Sequence, residues 1–432
     1  MKKYILIILL AIHINSNSQS LYFPPNSGNT WDTISISSMG WCQDRIDSLY
    51  NYLDQKNTKA FIFLQDGKIV LEKYFGTFTQ DSLWYWASAG KTLIAFTVGV
   101  AQQENLLYLS DTTSKFLGQG WTSCPPNKEA LIKIRHQLTM TSGLDDGVSD
   151  PYCTLDTCLQ YLTDAGTRWA YHNAPYTLLD EVLAATSGQT LNQYIASKIQ
   201  STTGMNGAFF KVDYINLYLS NARSMARFGL LMLGKGKWNN TPVLTDSVYF
   251  NEMVNTSQSL NLSYGYLTWL NGKSSFMIPG LQYVFSGPIC PDAPADMYAA
   301  LGKNAQIINV VPSKNMVWIR MGNAPGTGSD ITPTFNNDIW KFINQLPCPS
   351  GINESIDKKA RITVYPNPVN DMISINNPNE IEFTAVISNP IGQKIAEFRN
   401  QSEFDISKLS DGIYYLHIYS GNEMELFKIV KQ

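Results

Sequence analysis

Along residues 42–55, apolar side chains return every three or four positions at Ile46, Leu49, Tyr50 and Leu53. That is the period of a helix with one buried stripe. The pattern then changes. AFIFLQDGKIVLEKYFG, Ala60 to Gly76, has two β-rich runs around Asp66-Gly67, a dipeptide suited to a tight hairpin turn. AQIINVVPSKNMVWIRMG, Ala305 to Gly322, repeats the design with Pro312 to Asn315 as its turn, and TFNNDIWKFINQL after it has helical spacing. Residues 88–235 between the hairpins are predicted to be mostly helical. The order predicts an α+β domain: one antiparallel sheet built from both ends of the chain, flanked by helices, with a large helical insertion. A cleft between sheet and insertion is the natural place for a site.

After Cys348 the character shifts. Residues 350–361 are polar with a glycine and read as a linker. From Ile362 to Gln432 short alternating runs (MISI, FTAVIS, IYYLHIY, ELFKIV) are separated by Asn, Pro, Gly and Asp, which predicts a small all-β sandwich. At the other end, Met1-Lys2-Lys3 precedes an apolar run from Tyr4 to Ile14 and then small polar residues. The run falls well short of the roughly 20 residues that span a bilayer, so it reads as a signal peptide cleaved near Ser18. The expected division is 1–18 signal peptide, 19–349 first domain, 350–361 linker and 362–432 β-sandwich.

Composition narrows this picture only at a few points. Of 432 residues 44% are hydrophobic, enough for packed cores, and a net charge of −3 offers no basic block for nucleic acid. The six cysteines suit an exported, oxidised protein. Cys153 and Cys158 could close a small loop, and Cys42 and Cys348 could tie the ends of the first domain. Their spacing does not suggest zinc, and no metal or cofactor is expected.

The chemistry centres on WYWASAGKTLIAF, Trp84 to Phe96. Gly90-Lys91-Thr92 suggests a phosphate-binding loop, but that loop needs a glycine at residue 85, which is Tyr85. The alternative is Ser88 as a nucleophile. Ser88 and Lys91, at i and i+3, share one helix face at the positive end of the helix dipole. A lysine buried there has its pKa lowered by desolvation and can take the serine proton. After the leader the histidines are His136, His172 and His417, with no G-x-S-x-G elbow and no H-E-x-x-H.

Ser88-x-x-Lys91 is followed in order by RHQLTMTSGLDD, GTRWAYHNAPYTLLDEVLAATSGQTLNQYI, LSNARSMARFGLLMLGKGKW and LSYGYLTWLNG. On these motifs residues 44–345 resemble the serine β-lactamase and penicillin-binding superfamily, in its class C-like esterase and hydrolase branch. The resemblance implies a β-lactamase/DD-peptidase-like fold with Ser88 as nucleophile and Lys91 and Tyr171 as its general-base pair, the Tyr171 phenolate being stabilised beside a lysine cation. Asn173 matches the asparagine of the Tyr-x-Asn element and would steady Lys91 and the substrate carbonyl. The third element aligns at Ala300-Leu301-Gly302, so the usual basic residue is replaced by Ala300. Gly302 would keep the edge strand open, and the Lys303 backbone N–H would pair with that of Ser88 as an oxyanion hole. Tyr85, Trp86, Trp169 and Tyr264 are candidates to line the pocket, as are Tyr266 and Trp269.

VYPNPVNDMISI, ISNPIGQKI, DISKLSDGIYYLHI and FKIVKQ resemble the C-terminal sorting domain of type IX secretion cargo. This implies export through the outer membrane, with the secretion machinery as a partner and the protein released or held at the surface. The combined expectation is a secreted serine hydrolase acting on a small ester, amide or peptide, with no nucleic-acid partner and no membrane span. A D-Ala-D-Ala peptidase and an inactive binding protein on the same scaffold stand as alternatives.

Overall fold

The structure is a computed structural model that describes residues 21–326, 333–349, 362–377, 382–420 and 423–432. The expected signal peptide and linker lie outside the described residues. Two compact units divide at Cys348/Pro349.

In the first unit α1 (Gln43–Gln55) buries Ile46, Leu49 and Leu53, three members of its predicted stripe. The hairpin β1 (Thr58–Gln65) and β2 (Lys68–Tyr74) follows, then the short β3 (Trp84–Tyr85) and α2 (Gly90–Gln103). Every residue of α2 from Gly90 to Ala101 is buried, as its nearly continuous apolar sequence requires. Farther on come β4 (Ala208–Val212), β5 (Ile215–Ser220), α3 (Ala222–Leu233), β6 (Trp269–Leu270), β7 (Tyr298–Gly302), β8 (Gln306–Val311), β9 (Met316–Gly322) and α4 (Pro333–Ile343).

The main sheet runs β2-β1-β9-β8-β7-β6, antiparallel throughout. The late strand β9 thus lies between the early hairpin and the rest, with Phe63 opposite Trp318 and Ile308 opposite Ile319. The Cys42–Cys348 disulfide joins the entry of α1 to the end of the unit, with Cα atoms 5.0 Å apart. Cys153–Cys158 closes a small loop, and Cys124 and Cys290 are free and buried.

The region between the hairpins is less helical than its sequence suggests. Residues 104–172 hold short helical pieces joined by turns, and β4–β5 form a hairpin. AFFKVDYINLYLS alternates aromatic and β-branched residues around Asp213, which takes φ 52°. Strand propensity and turn chemistry decide the structure there. β5 also pairs with β3, Trp84 opposite Ser220, and so fixes the segment that leads into Ser88.

In the second unit β10 (Thr363–Tyr365), β11 (Met372–Asn376) and β14 (Glu403–Asp405) make one sheet. β12 (Thr384–Ser388), β13 (Lys394–Arg399), β15 (Gly412–Ser420) and β16 (Glu423–Lys431) make another, in the order β13-β12-β15-β16. Ile373, Ile375, Ala385, Phe404, Leu416 and Ile418 from both sheets share one core, the all-β architecture expected from the alternation.

Candidate active site

Ser88 sits in a single 3-10 turn, Ala87–Ala89, between β3 and α2. Ala87 takes φ 47°, a left-handed conformation costly for a residue with a Cβ. Such strain is held by what surrounds it. Trp86 donates its backbone N–H to the Tyr218 carbonyl and its indole N–H to Ser220 Oγ, each at 2.8 Å. The turn therefore starts from a fixed strand and ends on a fixed helix.

Lys91, one turn along α2, is 3% exposed and places Nζ 2.8 Å from Ser88 Oγ. Its other near neighbours are aromatic faces, Tyr176 at 4.0 Å and Tyr171 at 5.0 Å from Nζ to ring centroid. Burial holds its pKa well below the ordinary lysine value, and no carboxylate contributes to restoring it. Tyr171 is buried as well, and burial drives its pKa upward although the Ser88 and Tyr264 hydroxyls pull the other way. Both groups are therefore held toward their neutral forms, an amine and a phenol. The same low-polarity surroundings penalise the lysine cation and the phenolate alike.

The remaining predicted residues divide. Gly302 ends β7 directly against the serine turn. A side-chain carbon there would lie 2.4 Å from the Trp86 carbonyl oxygen and 3.0 Å from the Ser88 nitrogen. Its φ of −132° is ordinary extended backbone, so glycine is required by contact and not by conformation. Lys303 follows with an exposed side chain. Ala300 is buried inside β7, opposite Ile308. Asn173 opens a one-turn helix, Asn173–Thr177, half-buried, and its amide has no hydrogen-bond partner among the described residues. The expected contact from Asn173 to Lys91 is absent, and aromatic faces take its place.

Of the proposed pocket residues, Tyr85 is half-buried and accepts a hydrogen bond from Asn304 Nδ2 at 2.6 Å. Trp86 is fully enclosed between Tyr218 and Phe228, so it packs the core and lines no pocket. Trp169, Tyr264 and Trp269 form a buried aromatic layer behind Tyr171, with Trp269 stacked on the Tyr171 ring at 5.9 Å. Tyr266 is turned to Glu252 and Arg135 instead. His172 is buried, its pKa lowered to about 4 by desolvation, and its ring nitrogens have no partner among the described residues. No group of three His, Cys, Asp or Glu among the described residues could hold a metal ion.

Sequence reasoning missed Tyr176. No spacing marked it, since five positions is not a helical repeat and Tyr171 lies before the short helix Asn173–Thr177 that carries Tyr176. It also missed Arg320, a lone charge inside the apolar run NMVWIRMG.

The fold that carries this site has counterparts among known proteins. The model of the beta-lactamase family matches residues 53–334. The chain belongs to that family. A second model, the secretion system C-terminal sorting domain, matches residues 363–432. A curated relative of the beta-lactamase-family domain, an uncharacterized protein of Alkalihalophilus pseudofirmus, is 24% identical over 332 residues, covering 67% of this chain and 90% of the relative. Among solved structures, a candidate beta-lactamase from Bacteroides dorei superposes with a TM-score of 0.57 at 16% identity, covering 71% of this chain and 99% of that one. A candidate 6-aminohexanoate-dimer hydrolase from Bacillus anthracis gives 0.55 at 18% identity, covering 76% and 91%. These likenesses show the fold. The sorting domain marks the beta-lactamase-family chain for export through type IX secretion to the cell surface or beyond, which makes it a secreted hydrolase. No helix among the described residues is long and apolar enough to cross a membrane.

Proposed function

We propose that this secreted hydrolase cleaves an ester or amide through an acyl-enzyme on Ser88. One observation carries the reading: Lys91 Nζ, buried and without a carboxylate, 2.8 Å from Ser88 Oγ. A neutral amine in that place accepts the Ser88 proton as Oγ attacks the acyl carbon. Tyr171, a phenol at rest through burial, hands a proton to the leaving group; the phenolate so formed takes one from the water that attacks the acyl-enzyme, and Lys91 returns its proton to Ser88 Oγ as the acid leaves. The backbone N–H groups of Ser88 and Lys303 receive the oxyanion, because Gly302 lets the end of β7 approach the serine turn. Asn173, with its amide free, contacts the substrate. Ala300 in place of a basic residue disfavours substrates that carry a carboxylate at that position, so a penicillin is expected to label the protein poorly.

The test is incubation of the secreted protein with p-nitrophenyl butyrate and, separately, with a fluorophosphonate, followed by peptide mapping. Turnover with a phosphonyl adduct on the Ser88 peptide is the expected result. An adduct on another serine, or none, sinks the reading.

The pH profile follows from the shift on Lys91. Its pKa lies below the ordinary 10.5, and the reactive form is the unprotonated amine. kcat/KM is therefore expected to rise with pH and to level off well below pH 10.5. A limb still climbing at pH 10 would show that Lys91 is not the base.

A further inference from the structure

Arg320 is fully buried in β9, with Phe61 and Ile307 as its cross-strand neighbours. An apolar residue would serve that core position better, since taking a charge out of water is costly. No carboxylate offsets the cost here. Among the described residues Arg320 makes five hydrogen bonds: Nε to Thr58 Oγ1 at 3.1 Å, Nη1 to the Asn304 and Ala305 carbonyls at 2.6 and 3.1 Å, and Nη2 to the Lys56 and Asn323 carbonyls at 2.8 and 2.9 Å. Gly322 makes room for the fork, for a Cβ there would lie 2.4 Å from Nη2.

The two carbonyls on Nη1 belong to the turn Lys303–Ala305 that follows Gly302. Asn304 and Ala305 both adopt positive φ, 60° and 56°, a pair of left-handed residues without glycine. Such a turn persists only where its surroundings over-determine it. Gln306 adds to the hold. Its amide donates to the Gly322 carbonyl at 2.6 Å, reaches the Lys303 and Asn304 carbonyls at 3.3 Å, and its oxygen accepts from the Gly322 N–H at 3.1 Å. On the other side Asn304 Nδ2 donates to the Tyr85 hydroxyl, three residues before Ser88. The turn is tied to the sheet by Arg320 and Gln306, and to the strand that leads into the nucleophile by Asn304.

We propose that Arg320 is a positioning residue for the reaction at Ser88, its guanidinium fixing the Lys303–Ala305 turn so that the backbone donor after Gly302 stays aimed at the acyl oxygen. The inference rests on the acyl-enzyme reading above. Oxyanion stabilisation depends on donors placed within fractions of an ångström, and a planar fork with five donors can hold several carbonyls at once where an ammonium cannot.

The test uses the whole secreted chain with Arg320→Lys and Asn304→Gly. The first keeps the charge and loses the fork. The second keeps the backbone conformation and loses the link to Tyr85. Each is assayed for kcat, KM and inhibition by a butyl trifluoromethyl ketone, whose hemiketal oxygen occupies the oxyanion position, with the folded fraction taken from near-UV circular dichroism. A fall in kcat of about ten- to a hundredfold is expected, with KM held within about twofold and ketone affinity weakened in proportion to kcat. Folded variants whose kcat and ketone affinity match the wild type, whatever their melting temperature, would overturn the proposal and leave Arg320 a structural residue. If Arg320→Lys does not fold, Arg320→Gln, which keeps one donor nitrogen and loses the fork, decides by the same criteria. Wild-type protein with no Ser88-dependent turnover would overturn the acyl-enzyme reading and this inference with it.

Discussion

Ser88→Ala and Lys91→Met are each expected to lower kcat/KM on p-nitrophenyl butyrate by about a thousandfold or more, and the double variant by little further. The two side chains share one proton across 2.8 Å, so either deletion disables the same step. Additive losses in the double variant would separate them and assign Lys91 another task. The lysine variant has a second expected property. Burial lowers the Lys91 pKa in the folded protein, so its protonated form opposes folding. The sign follows: the penalty is largest below the folded pKa, shrinks as pH rises through it, and vanishes above the unfolded value near 10.5. Lys91→Met should therefore be more stable than wild type in acid and lose that advantage as the solution becomes alkaline. Urea unfolding at several pH values reads this directly.

Opening the Cys42–Cys348 bond is expected to cost about 6 kcal/mol of unfolding free energy, because it constrains a very long loop in the unfolded chain. The sequence separation is 306 residues, against 5 for Cys153–Cys158, whose loss should cost only about 2 kcal/mol by the same reasoning. The larger figure rivals the whole net stability of an ordinary domain. Cys42→Ser with Cys348→Ser should therefore shift the urea midpoint far more than Cys153→Ser with Cys158→Ser. Equal shifts would contradict the loop argument.

The two flanking hairpins, α1, α4 and the β-sandwich were legible because their periodicities are local. Asp66-Gly67 sets one turn, and the spacing of Ile46, Leu49 and Leu53 sets the helix stripe. The relation of Ser88 to Lys91 was legible for the same reason, being one turn of a single helix. Contacts made across the fold were not. Tyr176 meets Lys91 only because a short helix turns back after Tyr171. Trp86 looks like a pocket residue from its place beside Ser88, yet β5 draws its indole inward through Ser220. β4–β5 falls within the stretch expected to be mostly helical, although its alternation of aromatic and β-branched residues argues for strands. Arg320 was visible as an anomaly in an apolar run, but what it holds depends on a turn that closes around it.

The strand order β2-β1-β9-β8-β7-β6 has a bearing on when the site is completed as the chain is made. The early hairpin has no partner in the main sheet until β9 arrives, close to the end of the first unit. β9 also brings Arg320 and Gly322, through which the Lys303–Ala305 turn and Gln306 are tied to the sheet. A nascent or partly threaded chain thus carries Ser88 and Lys91 long before it carries the wall that faces them. On the acyl-enzyme reading, the site is whole only once the last strands of the first unit are in place.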